Sequence, residues 1–381
     1  MHKVCLFTDT LGDLNGVSRF IQDMGELAFQ DSAFDLQIAT CTSKTLPGER
    51  YIRNLPYRFR VPMPFYQELD LVWPKRHAIK AYLESEEPDS VHISTPGPFG
   101  WMAKQVAQEL GYPLIGTYHT DFSAYIKDLS RSDWMKQKTD QVMAHFYQSF
   151  EHVFSRSKKY KTIMHEEIKI PLDKISTLKA GTQLEHFHPK HHNPDIWPSF
   201  GLSKARLKVL YVGRINIEKS IPFLLDVWKQ FTQQHPEIEA DLILVGEGRY
   251  RKLANKMKPF NAYFLGPIRG QTLNELYASS HVFAFPSLTD TLGQVIMESQ
   301  ASGLGCLVSD MGGPQSLIIN NQTGKILPKN SDQAWLEGLK TTLTNPDLIQ
   351  RWSEQSRGHM LGYDIHDSYR DFKQQHCNLG Q

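Results

Sequence analysis

The sequence predicts an α/β protein of two units, each a parallel sheet covered by helices on both faces. Three observations carry this. The chain has 381 residues, more than one hydrophobic core accommodates. Short apolar runs ending in turn residues and followed by helical periodicity recur along it, which is the pattern of βα repeats. Between about Lys179 and Ser203 the repeat stops in a stretch rich in His and Pro, then starts again.

In the first half the apolar runs fall at 4–8, 90–94, 113–117 and 152–155, the last before a basic helix. Together they predict one Rossmann-like domain over 1–185. Residues 186–204 contain His186, His188, His191 and His192 among Pro189, Pro194 and Pro198, and are expected to be the linker. The strand pattern resumes at 208–212, 241–245, 262–265, 282–285 and 306–309. These short runs suit a doubly covered sheet and predict a second Rossmann-like domain over 205–355. Helical spacing without a strand signal closes the chain, and 356–381 is expected to cross back to the first domain.

Composition narrows the function. With 40% hydrophobic and 22% charged residues the chain is globular. Lys plus Arg total 42 against 41 for Asp plus Glu, a balance that gives no field for a polyanion, so nucleic acid is not an expected partner. Cys5, Cys41, Cys306 and Cys377 are scattered without C-x-x-C spacing, which fits a reducing cytoplasm. The N-terminus runs directly into an apolar strand without the core of a signal peptide, and no apolar run approaches the roughly 18 residues of a spanning helix. Membrane contact is therefore expected only as peripheral contact at a cytoplasmic face. The segment 134–161, with Lys136, Lys138, Lys158, Lys159 and Lys161 beside Phe146, Tyr147 and Phe150, is where it would occur, a solvated helix face being the plain alternative.

The most informative stretch is Phe285-Pro-Ser-Leu-Thr-Asp290-Thr291-Leu292-Gly293-Gln294-Val-Ile-Met-Glu298, a strand, a polar turn and a helix. Thr291-x-x-Gln294 fits a capping box. Backbone N–H groups of Leu292 and Gly293 would then sit at a helix N-terminus, where donors and dipole favour phosphate. Glu298, seven residues past Thr291, would share its face two turns on and suits ribose hydroxyls. The plain alternative is a capped helix with a solvated Glu298. Upstream, Gly213-Arg214-Ile-Asn-Ile-Glu218-Lys219 places two cations past a strand end, where open α/β sheets bind ligands. They could hold a diphosphate whose charge grows as it leaves, or be solvated surface cations.

Two rival chemistries lack their signals. Gly246-Glu247-Gly248 follows a strand, but Arg251 replaces the third glycine of a dinucleotide fingerprint and no acid stands about 20 residues on. His165-Glu166-Glu167-Ile168-Lys169 has Lys169 where a second zinc ligand belongs. No metal and no cofactor are expected.

Four segments resemble the retaining glycosyltransferases of family 4, which have the GT-B fold: Gly213-Arg214 with Lys219, Leu244-Val245-Gly246-Glu247-Gly248, the stretch from Phe285 to Glu298, and Gly303 through Val308-Ser309-Asp310-Met311-Gly312-Gly313-Pro314. Asn15-Gly16-Val17-Ser18 and Thr117-Tyr118-His119-Thr120-Asp121-Phe122 are similar to the acceptor half of such enzymes. The resemblance covers essentially the whole chain. It implies two Rossmann-like domains facing across a cleft, a UDP- or GDP-linked hexose as donor, a glycan or lipid as acceptor, and a metal-independent front-face reaction. By position it implies Arg214 and Lys219 on the diphosphate, Glu298 on the ribose, Gly16 near the phosphates, His119 close to the transferred sugar, and the base near Ile268. Asp290 takes the sugar-contacting position where the family usually has Glu, and Ser316 replaces an acid common in relatives. The alternatives are a nucleotide-sugar-binding protein without transfer activity and a GT-B epimerase or phosphorylase.

Overall fold

The computed structural model describes residues 1–13, 15–46, 48–63 and 66–379. The chain forms two compact units, Met1–Ala180 with His366–Gln381, and Gly181–Ile365.

The first unit contains strands β1 (His2–Thr8), β2 (Phe34–Thr40), β3 (Ile52–Asn54), β4 (Tyr57–Met63), β5 (Tyr66–Pro74), β6 (Ser90–Ile93), β7 (Leu114–Tyr118), β8 (His152–Ser155) and β9 (Ile175–Thr177). Its helices are α1 (Gly16–Phe29), α2 (Arg76–Glu86), α3 (Pro98–Glu109), α4 (Phe122–Ser130), α5 (Asp133–Tyr147) and α6 (Lys158–Glu166). Among the described residues seven strands form one sheet in the order β3-β2-β1-β6-β7-β8-β9, every pair parallel. β4 and β5 form a separate antiparallel hairpin. The runs at 4–8, 90–94, 113–117 and 152–155 are β1, β6, β7 and β8. β2 escapes the pattern because Asp35 and Gln37 alternate with buried Phe34, Leu36 and Ile38.

Helix α1 starts where the Asn15 side chain accepts from Ser18 N at 2.8 Å, the usual N-cap device. It buries Phe20, Ile21, Met24 and Ala28, one face at helical spacing. Helix α3 begins with Pro98 and is held by Asp9 at the end of β1, which accepts from Phe99 N at 2.9 Å and Gly100 N at 3.2 Å.

The second unit contains α7 (Ile196–Ser199), β10 (Leu207–Val212), α8 (Ile221–Gln234), β11 (Ala240–Val245), α9 (Ala254–Met257), β12 (Ala262–Gly266), α10 (Gly270–Ala278), β13 (Val282–Phe285), α11 (Gln294–Ala301), β14 (Gly305–Ser309), β15 (Gly324–Leu327), α12 (Asp332–Leu343) and α13 (Pro346–Met360). Its sheet runs β12-β11-β10-β13-β14-β15, again parallel. Strand order therefore reverses between β10 and β13. At such a switch point the two loops leave in opposite directions and open a crevice. The final helix, α14 (Ile365–Leu379), belongs from His366 on to the first unit, where the Phe372 ring packs against Phe20, Phe34 and Phe154.

The boundaries differ from those expected. Residues 186–204 are no free linker. Trp197 is buried and donates from Nε1 to Ser279 O at 3.3 Å, Asn193 N donates to Ser279 Oγ at 2.8 Å, and Lys208 Nζ donates to Ser203 O at 2.7 Å. The stretch is irregular because proline forbids a ladder, but it is fastened to the second unit. That unit also keeps 356–365, since Arg357 Nη1 donates to Leu184 O, Phe187 O and Ala301 O.

Candidate functional site

All strands of the second sheet point the same way, so the loops after β10, β11, β12, β13 and β14 share one edge. Lys219, in the loop after β10, places Nζ 2.6 Å from Oδ1 of Asp290, in the loop after β13. The pair spans the switch point. Asp290 is held from behind as well, its carbonyl accepting from Gly313 N at 2.7 Å, while a Cβ at Gly313 would stand 2.0 Å from Thr291 O. Burial pushes the Asp290 carboxyl up, but the charge and hydrogen bond of Lys219 outweigh it and hold it below the usual carboxylate range. Oδ2 of Asp290 is buried and has no hydrogen-bond partner among the described residues. An ionised oxygen left in that state is an acceptor waiting for a donor.

Arg214 lies 3.2 Å from the buried Glu218, Nε to Oε1, at the i,i+4 spacing of ion pairs. Its carbonyl accepts from Tyr211 OH at 2.7 Å. The loop carrying both cations is wired to the Gly246-Glu247-Gly248 turn. Ile215 N donates to Glu247 O at 2.7 Å and Tyr250 N to Ile215 O at 3.0 Å, and Arg249 N to Asn216 Oδ1 at 2.7 Å. The glycines that resemble a dinucleotide fingerprint thus serve close backbone approach, and a 3-10 turn, Arg249–Leu253, follows them.

The expected capping box is not formed. Helix α11 opens at Gln294, with Gly293 as N-cap in the left-handed region at φ 91°, so Thr291 and Leu292 stand before the helix, both buried. A Cβ at Gly293 would meet Pro314 Cγ at 2.9 Å. The helix-starting amides are therefore those of Gln294 and Val295, which an α-helix leaves without intrahelical partners, since Ile296 N already donates to Gly293 O at 2.9 Å. Glu298 lies one turn beyond Gln294, not two beyond a cap. It is also buried rather than solvated, and its Oε2 accepts from Tyr277 OH at 2.9 Å. Ile268 sits half-buried in the turn between β12 and α10.

The structure thus gathers Arg214, Lys219, Asp290, Thr291, Leu292, Gly293, Glu298 and Ile268 on one edge of the second sheet. Gly16 and His119 stand in the first unit. Gly16 opens α1, and one turn further Phe20 holds its ring 5.7 Å from that of His119. Burial and the nearby Arg156 cation hold His119 well below the usual histidine range, so it is neutral at pH 7. Sequence reasoning missed Glu218, which the i,i+4 rule could have paired with Arg214. It also missed Tyr277, which no local pattern ties to Glu298 because 21 residues separate them.

The model of glycosyl transferases group 1 matches residues 194–359, and that of glycosyltransferase family 4 matches residues 14–186. Between them they take in both units, and the chain belongs to the family 4 glycosyltransferases of GT-B fold. It is 27% identical over 310 residues to a sulfoquinovosyl transferase of Arabidopsis thaliana, covering 81% of this chain and 58% of the relative. It is 26% identical over 367 residues to a GDP-mannose-dependent alpha-mannosyltransferase of Mycobacterium tuberculosis, covering 92% and 90%. The chain spans 58% of the length of the Arabidopsis relative and of a Corynebacterium glutamicum mannosyltransferase. Among solved structures its fold is that of a sucrose-phosphate synthase from Thermosynechococcus elongatus, TM-score 0.81 at 18% identity over 100% and 99% of the chains. It is also that of Anabaena HepE solved with UDP and glucose, TM-score 0.76 at 13% identity over 98% and 99%.

Proposed function

We propose that this chain moves a hexose from a UDP- or GDP-linked sugar to a glycan or lipid acceptor, with retention at the anomeric carbon and no metal. The observation that carries the reading is the Lys219–Asp290 pair across the switch point, with Arg214 in the same loop as Lys219. Arg214 and Lys219 hold the donor diphosphate, joined by the amides of Gln294 and Val295 that open α11, with Thr291, Leu292 and Gly293 forming the turn before them. As the bond from C1 to the phosphate oxygen breaks, charge grows on the leaving diphosphate, and fixed cations there stabilise the transition state more than the ground state. The acceptor oxygen attacks C1 from the same face, and its proton passes to an oxygen of the departing phosphate, so no enzymic nucleophile is required. Asp290, ionised, accepts from sugar hydroxyls. Glu298, oriented by Tyr277, accepts from the ribose, and the base rests near Ile268. The relative named for GDP-mannose and the neighbour solved with UDP and glucose support these two nucleotide classes.

A lipid acceptor would bring the first unit to a membrane surface, and no described helix is long and apolar enough to cross one. Of the segment 134–161, Phe146, Tyr147 and Phe150 are buried in the core because they lie on the inner face of α5 and just beyond its end. Trp134, Met135 and Val142 are exposed instead, and Lys138 Nζ lies 6.0 Å from the Trp134 ring centroid. This face of α5 is the contact we propose.

The test is a melting-temperature screen against UDP, GDP, ADP and CMP, each with and without a sugar. A ligand at 100 times its dissociation constant adds about 2.7 kcal/mol. A selective shift by one diphosphate, lost in Arg214→Ala and Glu298→Ala, is expected. No shift from any nucleotide would overturn the reading. Turnover that proceeds with donor and acceptor separates a transferase from a binding protein, an epimerase or a phosphorylase.

A further inference from the structure

Arg156 follows β8 at the same edge of the first sheet as His119, and it is 4% exposed. Its Cζ lies 3.8 Å from the Phe20 ring centroid. That contact covers one face of the guanidinium plane and satisfies none of its N–H donors. Nη1 is buried without a hydrogen-bond partner, and among the described residues no carboxylate stands within ion-pair distance of it. The acid whose field it feels is Asp371, but those oxygens already accept from Lys179 N at 2.7 Å and Gln375 Nε2 at 2.9 Å. Burial lowers the guanidinium only to about 10, so it is charged at neutral pH. A buried, unpaired charge is among the costliest features a fold can keep, and Phe20 could be packed by any apolar side chain. Guanidinium is also the group whose fork matches a phosphate or carboxylate.

We propose that Arg156 anchors an anion subsite in the first unit, which takes a phosphate, carboxylate or sulfonate carried by one of the two substrates, with His119 as its neutral neighbour. The identity of the ligand as a substrate rests on the transferase reading; the anion site itself does not. Arg156 is a binding residue in this account and touches no reacting atom.

The probe is inorganic phosphate, titrated in melting experiments on the full chain, on Arg156→Met, on Arg214→Ala and on the double variant. Phosphate is expected to raise the melting temperature of Arg214→Ala, in which the proposed diphosphate site is weakened, by a few degrees, and to leave the double variant Arg156→Met, Arg214→Ala unmoved. Without phosphate, Arg156→Met is expected to melt no lower than the parent, because an apolar chain of similar length removes a desolvated charge. A phosphate shift that is as large in the double variant as in Arg214→Ala would overturn the proposal, as would a marked loss of stability in Arg156→Met without phosphate, which would make Arg156 a packing residue for Phe20. Two further pairs locate the anion. A preference for UDP-glucuronate over UDP-glucose that Arg156→Met abolishes places it on the donor sugar, and the same result for glucose 6-phosphate over glucose places it on the acceptor. If no nucleotide shifts any variant while the phosphate effect still depends on Arg156, the donor reading falls and the anion site stands.

Discussion

His92 Nδ1 and His376 Nε2 lie 2.8 Å apart in the core of the first unit, and their partners fix which ring donates. His376 Nδ1 faces Phe372 O at 2.8 Å and must donate to it, so its Nε2 accepts from His92 Nδ1–H. His92 Nε2 then accepts from Thr117 Oγ1 at 2.9 Å. With both rings neutral every nitrogen in this chain, which ties α14 to the sheet, has a partner.

The first prediction follows from that neutrality. Burial holds His376 at about 3, and burial with its neighbours His376 and His119 holds His92 well below the ordinary value of 6.5. The unfolded chain takes up both protons near pH 6.5 while the folded chain does not. Stability is therefore complete above that pH and falls as pH drops, by about 1.4 kcal/mol per unit for each ring. Urea unfolding at pH 7.5 and 5.5 should show this loss, and the double variant His92→Phe, His376→Phe should be less stable at pH 7.5 but lose about 2–3 kcal/mol less on acidification. An unchanged slope would mean that the rings do not titrate on unfolding.

The second concerns Lys219 and Asp290. Lys219→Met removes a fixed cation from the expected leaving group and should lower kcat/KM by about 100- to 1000-fold, the usual effect of losing one preorganised electrostatic contact. It also strands a buried carboxylate, so Asp290→Asn in the same chain should recover part of the lost stability. Residues in contact couple by about 0.5–3 kcal/mol, and a double-mutant cycle on unfolding free energy measures it. Additive effects would dissolve the pair.

The third separates orientation from presence. Tyr277→Phe keeps Glu298 in place but removes the 2.9 Å hydrogen bond to Oε2, a bond to a charged group worth about 1.5–3 kcal/mol. Affinity for the nucleoside diphosphate that shifts the melting temperature should fall about tenfold or more in calorimetry. Affinity equal to the parent would remove Tyr277 from the site.

Much of this was legible in the chain, and the misses have physical causes. Strands buried on both faces, such as β11 with Asp241-Leu-Ile-Leu-Val245, announce themselves as apolar runs. β2 and the short β9 and β15 do not, since alternation or brevity hides them. Arg214, Lys219, Asp290 and Glu298 could be named because they lie near strand ends in recognisable order. Arg156 and Tyr277 could not, because their meaning depends on a ring and a carboxylate brought close by tertiary packing. The linker was misread because Pro and His mark irregular backbone, which is a different property from detachment.

A fourth prediction tests the membrane face. Trp134 is 63% exposed on α5, and an exposed Trp beside a Lys suits the interface of an anionic bilayer. The full chain should co-float with phosphatidylglycerol vesicles at low salt and less so with the variant Trp134→Ser, Lys138→Ser. Equal flotation of the two proteins would make that face merely solvated.

The last prediction asks what the Gly246-Glu247-Gly248 turn is for. Gly246 has φ 140°, and a Cβ there would stand 1.9 Å from Gly213 O, in the loop that leads to Arg214 and Lys219. Gly246→Ala must strain its own backbone and also push that loop away, at a cost of about 2–4 kcal/mol. Gly270 is the control, with φ 63° and nothing within 4 Å of its added Cβ. Its alanine variant meets strain without collision and should cost about 1 kcal/mol. If the turn exists to set the cation loop, Gly246→Ala should lose nucleotide affinity along with stability, while Gly270→Ala keeps more of both. Melting curves with and without nucleotide decide it. A Gly246→Ala protein that is destabilised yet binds nucleotide as tightly as the parent would leave the turn a packing device with no hold on the site.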